Sequence, residues 1–172
     1  MKNLKIKKQT LKLCFVAIFI ALNVLMCTFS IPVPGGHLYL CDTVICLAAL
    51  VFDPVSAFIV GGLGAFLGDL LFYPVAMVVS LFAHGFQAFL ISIIYRHSFK
   101  NHKTISLTLG MIVGSVIMVL GYFLGKTFVY ASLEIAIVKL PYEVLQAAVG
   151  AILGTILFKK CKIEKISKKY MA

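Results

Sequence analysis

Tryptophan is missing altogether, and acids are scarce: 6 Asp and Glu stand against 16 Lys and Arg, with charged residues at only 13% of the chain. Soluble domains carry about 25% charged and ~45–50% apolar residues. Here 62% of 172 residues are hydrophobic and the mean hydropathy is +1.06. A soluble protein of this size has no interior large enough to hide that surface, so an integral membrane protein is expected. Cysteines are also few. None of Cys14, Cys27, Cys41, Cys46 and Cys161 stands in a CxxC or at ligand spacing from a histidine, and four lie in or beside apolar runs. A thiol there packs as a small hydrophobe, so neither a metal site nor a disulfide framework is expected, and no cofactor is implied. Catalytic motifs are missing too. There is no HExxH and no nucleophile elbow, and the glycine-rich run Gly62 to Gly68 lacks both GxGxxG spacing and a following GKS/T. Asp69 and Glu143 as a paired-acid protease site lack any supporting motif. The reading is a non-enzyme that does not itself bind ATP.

The net charge of +10 does not point to nucleic acid, because the basic residues are grouped without interleaved aromatics. They lie at Lys2, Lys5, Lys7, Lys8 and Lys12, at Arg96, Lys100 and Lys103, and at Lys159, Lys160, Lys162, Lys165, Lys168 and Lys169; only Lys126 and Lys139 stand apart. Basic clusters flanking apolar runs mark the cytoplasmic side of a membrane. The N-terminal apolar run, about 11–31, is too long for a typical signal-peptide core of ~7–15 residues and has no small-residue cleavage site, so it reads as a retained first span.

Six apolar segments follow, at about 11–31, 38–52, 54–72, 75–95, 105–124 and 141–158. They are separated at Pro32 to Gly36, Asp53-Pro54, Tyr73-Pro74, the Arg96–Lys103 loop and a more polar connection carrying Lys126, Glu134 and Lys139. The expected fold is an all-α bundle of six transmembrane helices with both termini cytoplasmic. It has a basic arm at 1–10, a membrane domain at 11–158 and a basic tail at 159–172. An even span count puts all three basic clusters on one side, and 32–37, the region of Tyr73 and 125–140 on the other. Small residues recur four apart at Ala17/Ala21, Gly64/Gly68, Gly110/Gly114, Gly121/Gly125 and Gly150/Gly154, a spacing that lets helix backbones approach closely in lipid.

Polar residues inside the spans are few and costly. Asp42 opens the second span and Asp69 closes the third. His84 and Gln87 share a face of the fourth, and Tyr142, Glu143 and Gln146 open the sixth; Asn23 and Ser30 belong to the first. His37, Asp42, Asp69, Tyr142 and Glu143 fall toward the external half, the pattern of a ligand pocket open to that side. Each also has a structural reading: caps for the acids, interhelical hydrogen bonds for His84 and Gln87, solvation for His97 and His102. Interface anchoring is the structural reading for Phe72, Tyr73, Tyr95 and Tyr142.

The run Gly36-x-Leu38-x-Leu40-x-Asp42, the Ala-Ala-Leu stretch ending at Pro54 and Gly61-Gly62-x-Gly64-x-x-x-Gly68-Asp69 together resemble the substrate-binding S components of energy-coupling factor (ECF) vitamin transporters. Pro141-x-x-x-x-Gln146-x-x-x-Gly150 and Ala17-x-x-x-Ala21 are similar as well. The resemblance covers about 10–158. It implies a vitamin-binding protein of the bacterial plasma membrane, without its own ATPase, served by a transmembrane T subunit and two ABC-type ATPases. It also implies docking on the T subunit through Ala17 and Ala21. Ligand contacts carried over by position are Gly36 and His37 in the loop after span one, with Asp42, His84, Gln87, Tyr142, Glu143 and Gln146. Cys41 stands where a glycine is expected, and Glu143 where several relatives have asparagine. An acid facing the pocket favours a ligand with a donor or a cation, so the expected ligand is a thiamine-precursor pyrimidine or a pyridoxine-like ring. The alternatives are an S component for pantothenate or riboflavin, or a small structural or assembly subunit of a membrane complex. A self-contained secondary transporter would call for internal repeats, and none is seen.

Overall fold

A backbone in hydrocarbon must satisfy its own N–H and C=O groups, and each long apolar run here does so as a helix. The computed structural model describes residues 2–99 and 101–160. Its helices are α1 (Lys2–Cys27), α2 (Cys41–Val51), α3 (Pro54–Phe72), α4 (Pro74–His97), α5 (Lys103–Tyr130) and α6 (Leu133–Lys160). Five of them are long and apolar enough to cross a bilayer; α2 is not. The fold is thus the all-α membrane bundle expected, with α2 shorter than a span.

α2 is the centre. From Cys41 to Val51 every residue but Thr43 is buried, with Ile45, Cys46, Ala48 and Ala49 wholly enclosed. Its 11 residues rise only about 16 Å, so both ends stop inside the protein and their polar groups need partners there. At the C-terminal end Arg96 supplies them. Its Nη2 donates to the Val51 carbonyl at 2.9 Å and its Nε to the Phe52 carbonyl at 3.2 Å, while Ser92 Oγ donates to the same Phe52 carbonyl at 2.7 Å. A cation at a helix C-terminus also complements the helix dipole. Arg96, expected in a basic loop, is therefore part of α4 and half-buried. Beside this cap, Asp53 starts α3 by accepting from the Ser56 N–H at 3.4 Å and pairs with Lys12 of α1 at 2.5 Å. Partial burial works to raise the Asp53 pKa, but the Lys12 and Ser56 bonds outweigh it and hold the carboxyl below its ordinary value.

Two expected boundaries move. The region 125–140, expected as a polar connection, is mostly helical: α5 runs on through a π-helical turn at Lys126–Tyr130, and α6 starts at Leu133 with Pro141 inside it. α1 is helical from Lys2, and its membrane-length apolar stretch is Gln9–Cys27. The segment 32–37, expected as a loop, belongs to an antiparallel hairpin, β1 (Ser30–Val33) with β2 (Gly36–Tyr39), paired from Ser30 with Tyr39 to Val33 with Gly36. Pro34 and Gly35 form its turn; Gly35 sits at φ +80°, as the third residue of a type II turn requires. Of the expected basic tail, residues 161–172 lie outside the described residues.

Close approach of helices rests on the glycines. α3 carries a π turn at Ile59–Leu63, and Asn23 of α1 donates to its Val60 carbonyl at 3.0 Å. A Cβ on Gly64 would stand 2.4 Å from the Asn23 amide nitrogen, and one on Gly150 of α6 only 2.3 Å from Asp42 Cβ. The second contact sets the α2–α6 spacing beneath the hairpin. Gly150→Ala is therefore expected to force α2 and α6 apart at a cost of about 1–3 kcal/mol. Gly121→Ala, whose Cβ would stand 3.0 Å from Ala83 Cβ and 3.4 Å from its Cα, should cost less. Thermal melts of the detergent-solubilised variants check the order.

Candidate binding site

The hairpin end of the bundle carries the polar residues, in two layers. The deeper layer centres on Asp42, wholly buried at the first turn of α2. Gln87 Nε2 of α4 donates to its Oδ1 at 2.9 Å, and Gln146 Nε2 of α6 to its Oδ2 at 2.6 Å. The outer atoms of both amides are used as well. Gln146 Oε1 accepts the Tyr39 backbone N–H of β2 at 2.9 Å, and Gln87 Oε1 lies 2.8 Å from His84 Nδ1. With Gln87 Nε2 turned to Asp42, its Oε1 can only accept, so Nδ1 is the protonated nitrogen of His84. Cys41, Asp42 and His84 do bring possible ligand atoms within 4.8 Å of one another. Both Asp42 oxygens and His84 Nδ1 are, however, already engaged by glutamines.

The upper layer is a cleft of about 390 Å³, its open mouth included, under the hairpin. Gly35, Gly36, His37 and Tyr39 form the hairpin wall; Asp69 comes from the end of α3 and Tyr73 directly follows it, Tyr122, Lys126 and Tyr130 come from α5, and Lys139, Glu143 and Gln146 from α6. The aromatic rings make a continuous lining, with His37 6.0 Å from Tyr73 and Tyr73 6.5 Å from Tyr130 between centroids. Lys126 Nζ stands 4.8 Å from the Tyr122 ring centre and 5.6 Å from that of Tyr130, in cation–π range of both. The same ammonium pairs with Glu143 Oε1. Lys139 Nζ donates to the His37 carbonyl at 2.6 Å, holding the hairpin to α6. Ser80 donates to Asp69 and lies 2.5 Å from the Tyr122 hydroxyl. Two buried polar atoms of this cleft have no hydrogen-bond partner among the described residues: Glu143 Oε2 and His37 Nδ1. Outside the membrane-spanning helices, burial first and the nearby Asp69 carboxylate second push the Tyr39 hydroxyl pKa well above its ordinary value, so it stays a neutral donor.

Of the residues named from sequence, Gly36, His37, Glu143 and Gln146 line the cleft. Asp42, His84 and Gln87 lie in the layer beneath, and Tyr142 is half-buried outside the lining. Glu143 faces the cleft as expected, but it is not an uncompensated acid, because Lys126 pairs with it. Lys126 and Lys139 were missed. The signal for both was their isolation, as the two cations outside every basic cluster in a chain that groups its charge. Tyr122 and Tyr130 were missed as well, and Tyr73 was read as an interface anchor; position along a span does not tell which way a ring points. Ala17 and Ala21 lie on an exposed face of α1, away from the bundle interior.

This arrangement of hairpin, short central helix and five spanning helices is a known one. A solved structure described as "Structure and mechanism of the S component of a bacterial ECF transporter" superposes with a TM-score of 0.76 over 90% of this chain and 96% of that one, at 21% identity. The fold is that of an ECF S component. At the sequence level, the family model described as "ECF-type riboflavin transporter, S component" matches residues 7–162, and the chain belongs to that family. The "Thiamine precursor transporter HmpT" of Lactococcus lactis subsp. cremoris (strain MG1363) is 34% identical over 159 residues, 91% of this chain and 89% of that protein. An "Uncharacterized protein in gap 3'region" of Pyrococcus woesei is 25% identical over 135 residues, 78% of this chain and 88% of that protein. Family and fold are those of transporter components for a vitamin or its precursor.

The Asp42 network is oriented throughout, so Asp42→Asn should be worse than its small change of shape suggests. An asparagine NH2 would face a glutamine NH2 on one side and leave a buried donor unpaired, at about 1–3 kcal/mol. The expected outcome is a lowered melting temperature in detergent, with the helix content by circular dichroism unchanged before the melt.

Proposed function

We propose that this S component captures an aminopyrimidine precursor of thiamine from outside the cell. The observation that carries the reading is Glu143 Oε2, a buried carboxylate oxygen in an aromatic-walled cleft with no donor among the described residues. A buried acceptor without a donor is costly, and a ligand N–H repays it. An aminopyrimidine offers an exocyclic N–H2 for Glu143, ring nitrogens for donors such as the tyrosine hydroxyls, and a flat face for the Tyr73–Tyr130 side of the cleft. The 34% identity to a protein named as a thiamine precursor transporter supports the same choice. A pyridoxine-like ring brings hydroxyl donors in place of the amine.

For uptake, the S component docks on a T subunit driven by two ABC-type ATPases and topples in the membrane to release its ligand inward. Support on this side is the exposed Ala17/Ala21 stripe of α1, where small side chains four apart admit a partner helix closely. Lys12, Arg96, Lys103, Lys159 and Lys160 collect at the end of the bundle opposite the hairpin. That end is the cytoplasmic one by the positive-inside rule, in a bacterial plasma membrane.

Isothermal titration of the purified chain with 4-amino-5-hydroxymethyl-2-methylpyrimidine, pyridoxine, riboflavin and pantothenate tests the substrate. The aminopyrimidine should bind tightest, and Glu143→Gln should weaken it by about tenfold to a hundredfold, the worth of a hydrogen bond to a charged group. Binding of riboflavin alone would overturn the reading, as would unchanged affinity in a folded Glu143→Gln. For docking, Ala17→Trp or Ala21→Trp should leave ligand affinity as it was and abolish cellular uptake. Loss of binding would place those alanines in internal packing.

A further inference from the structure

The acids of the bundle are not equally provided for. Asp42 takes an amide donor on each oxygen, Asp53 pairs with Lys12 and Glu143 with Lys126. Asp69 is only 5% exposed and has a single side-chain donor, the Ser80 hydroxyl, on Oδ2. Among the described residues no cation stands within ion-pair range of it. The two lysines of the cleft are spent elsewhere, Lys126 on Glu143 and Lys139 on the His37 carbonyl. Nor does its place in α3 favour a charge. Asp69 stands in the last turn before Phe72, at the end of a helix where the dipole opposes an acid and a carboxylate has no free N–H to accept. It is not a helix cap.

The hydrogens around this acid can be placed by their donors. A carboxylate oxygen only accepts, so Ser80 spends its one hydrogen on Asp69 Oδ2. The Tyr122 hydroxyl, 2.5 Å from Ser80 Oγ, must then donate to that oxygen. Both hydrogens of the chain from Tyr122 through Ser80 to Asp69 are thus used inside it. Asp69 Oδ1 receives neither, and no other donor reaches it among the described residues. Asp69 and Tyr122 both line the cleft. We infer that Asp69 is a specificity-determining residue, whose Oδ1 receives a second donor from the ligand while Glu143 Oε2 receives the first. On the aminopyrimidine reading above, on which this assignment rests, the exocyclic amine meets Glu143 and the O–H of a neighbouring hydroxymethyl group meets Asp69. Two carboxylate oxygens, one on α3 and one on α6, then select a ligand by two donors. A molecule that keeps the ring and the amine but lacks the O–H leaves a buried acceptor unfilled, and a site of that kind rejects it strongly.

Titration of the full-length chain in detergent compares 4-amino-5-hydroxymethyl-2-methylpyrimidine with its methyl ether, which keeps the oxygen and loses the donated hydrogen. The unaltered chain should bind the ether about tenfold to a hundredfold more weakly, the worth of a hydrogen bond to a charged group. In Asp69→Asn the Ser80 hydroxyl keeps the amide oxygen and the NH2 turns to the cleft, where it can donate to an ether oxygen. The penalty for the ether should then fall to about threefold or less. Glu143→Gln should weaken both compounds and leave that penalty in place. Equal binding of alcohol and ether by the unaltered chain would overturn the role of Asp69 without any variant. So would the full penalty persisting in an Asp69→Asn chain that melts cooperatively. If neither pyrimidine binds the unaltered chain, the substrate reading fails, and Asp69 is decided on whichever of pyridoxine, riboflavin and pantothenate does bind. An affinity for that vitamin unchanged by Asp69→Asn overturns its role as well, and a loss of about tenfold upholds it. A chain that binds none of these compounds overturns both.

Discussion

The hairpin end of this bundle depends on two amide N–H groups, one from Gln87 and one from Gln146, each given to a different oxygen of Asp42. A buried carboxylate in a lipid-embedded protein has no water to fall back on, and the full desolvation cost returns if either donor turns away. Neither glutamine is free to turn. Gln146 is held by the Tyr39 N–H of β2 and Gln87 by His84 Nδ1. One carboxylate thereby fixes the relative positions of α2, α4, α6 and the hairpin. Gly150 completes the constraint from the packing side, because α6 reaches Asp42 only where α6 lacks a side chain. The network is also the floor of the cleft: Gln146 belongs to both layers, so a ligand touching its side chain would touch a group bonded to α2 and to the hairpin.

α2 explains why the polar groups are arranged as they are. A helix too short to span the bilayer leaves both its ends at membrane depth, where loose backbone is tolerated only inside protein. The two ends are treated by charge. Asp42 sits in the first turn and Arg96 beyond the last, each where the helix dipole favours it. Above the first end the chain fills the missing height with a hairpin, and the cleft lies between that hairpin and the helix ends of α3, α5 and α6. The cleft is thus a by-product of stopping α2 early. The opposite end is closed by Arg96, Ser92 and the Lys12–Asp53 pair.

Much of this was legible in the residues. Composition required a membrane bundle, prolines and charge clusters cut it into segments, and Asp42 announced itself as an acid that needed partners. What could not be read was direction. Whether Tyr73 looks outward to the interface or inward to the cleft depends on helix rotation, which a mean hydropathy does not carry. Lys126 and Lys139 looked like loop charges because the polar run 125–140 masked the helical turns that hold them, and Pro141 suggested a start where α6 is already two turns long. Ser30 to Tyr39 gave no strand signal strong enough to compete with its prolines and glycines. Its ladder is held from outside, by Gln146 and Lys139, so the local sequence did not have to specify it.

The pairing of charges in the cleft changes how selectivity has to work. Two lysines and two acids line it, so no strong net field draws in ligands of one sign, and the charge argument for a cationic ligand gives way to a local one. Lys126 neutralises Glu143 through Oε1 and leaves Oε2 with directional demand but little net charge. Such a site discriminates by whether a donor arrives at that oxygen. A pocket that can only fit or not fit a ring separates neighbours by one or two orders of magnitude, whereas one with a buried polar atom to satisfy rejects a ligand lacking the matching group by far more. The ion pair therefore does two things at once: it makes the carboxylate affordable at this depth, and it converts a charge preference into a hydrogen-bond preference. A ring that presents an N–H at Glu143 and a flat face to the tyrosines meets both conditions.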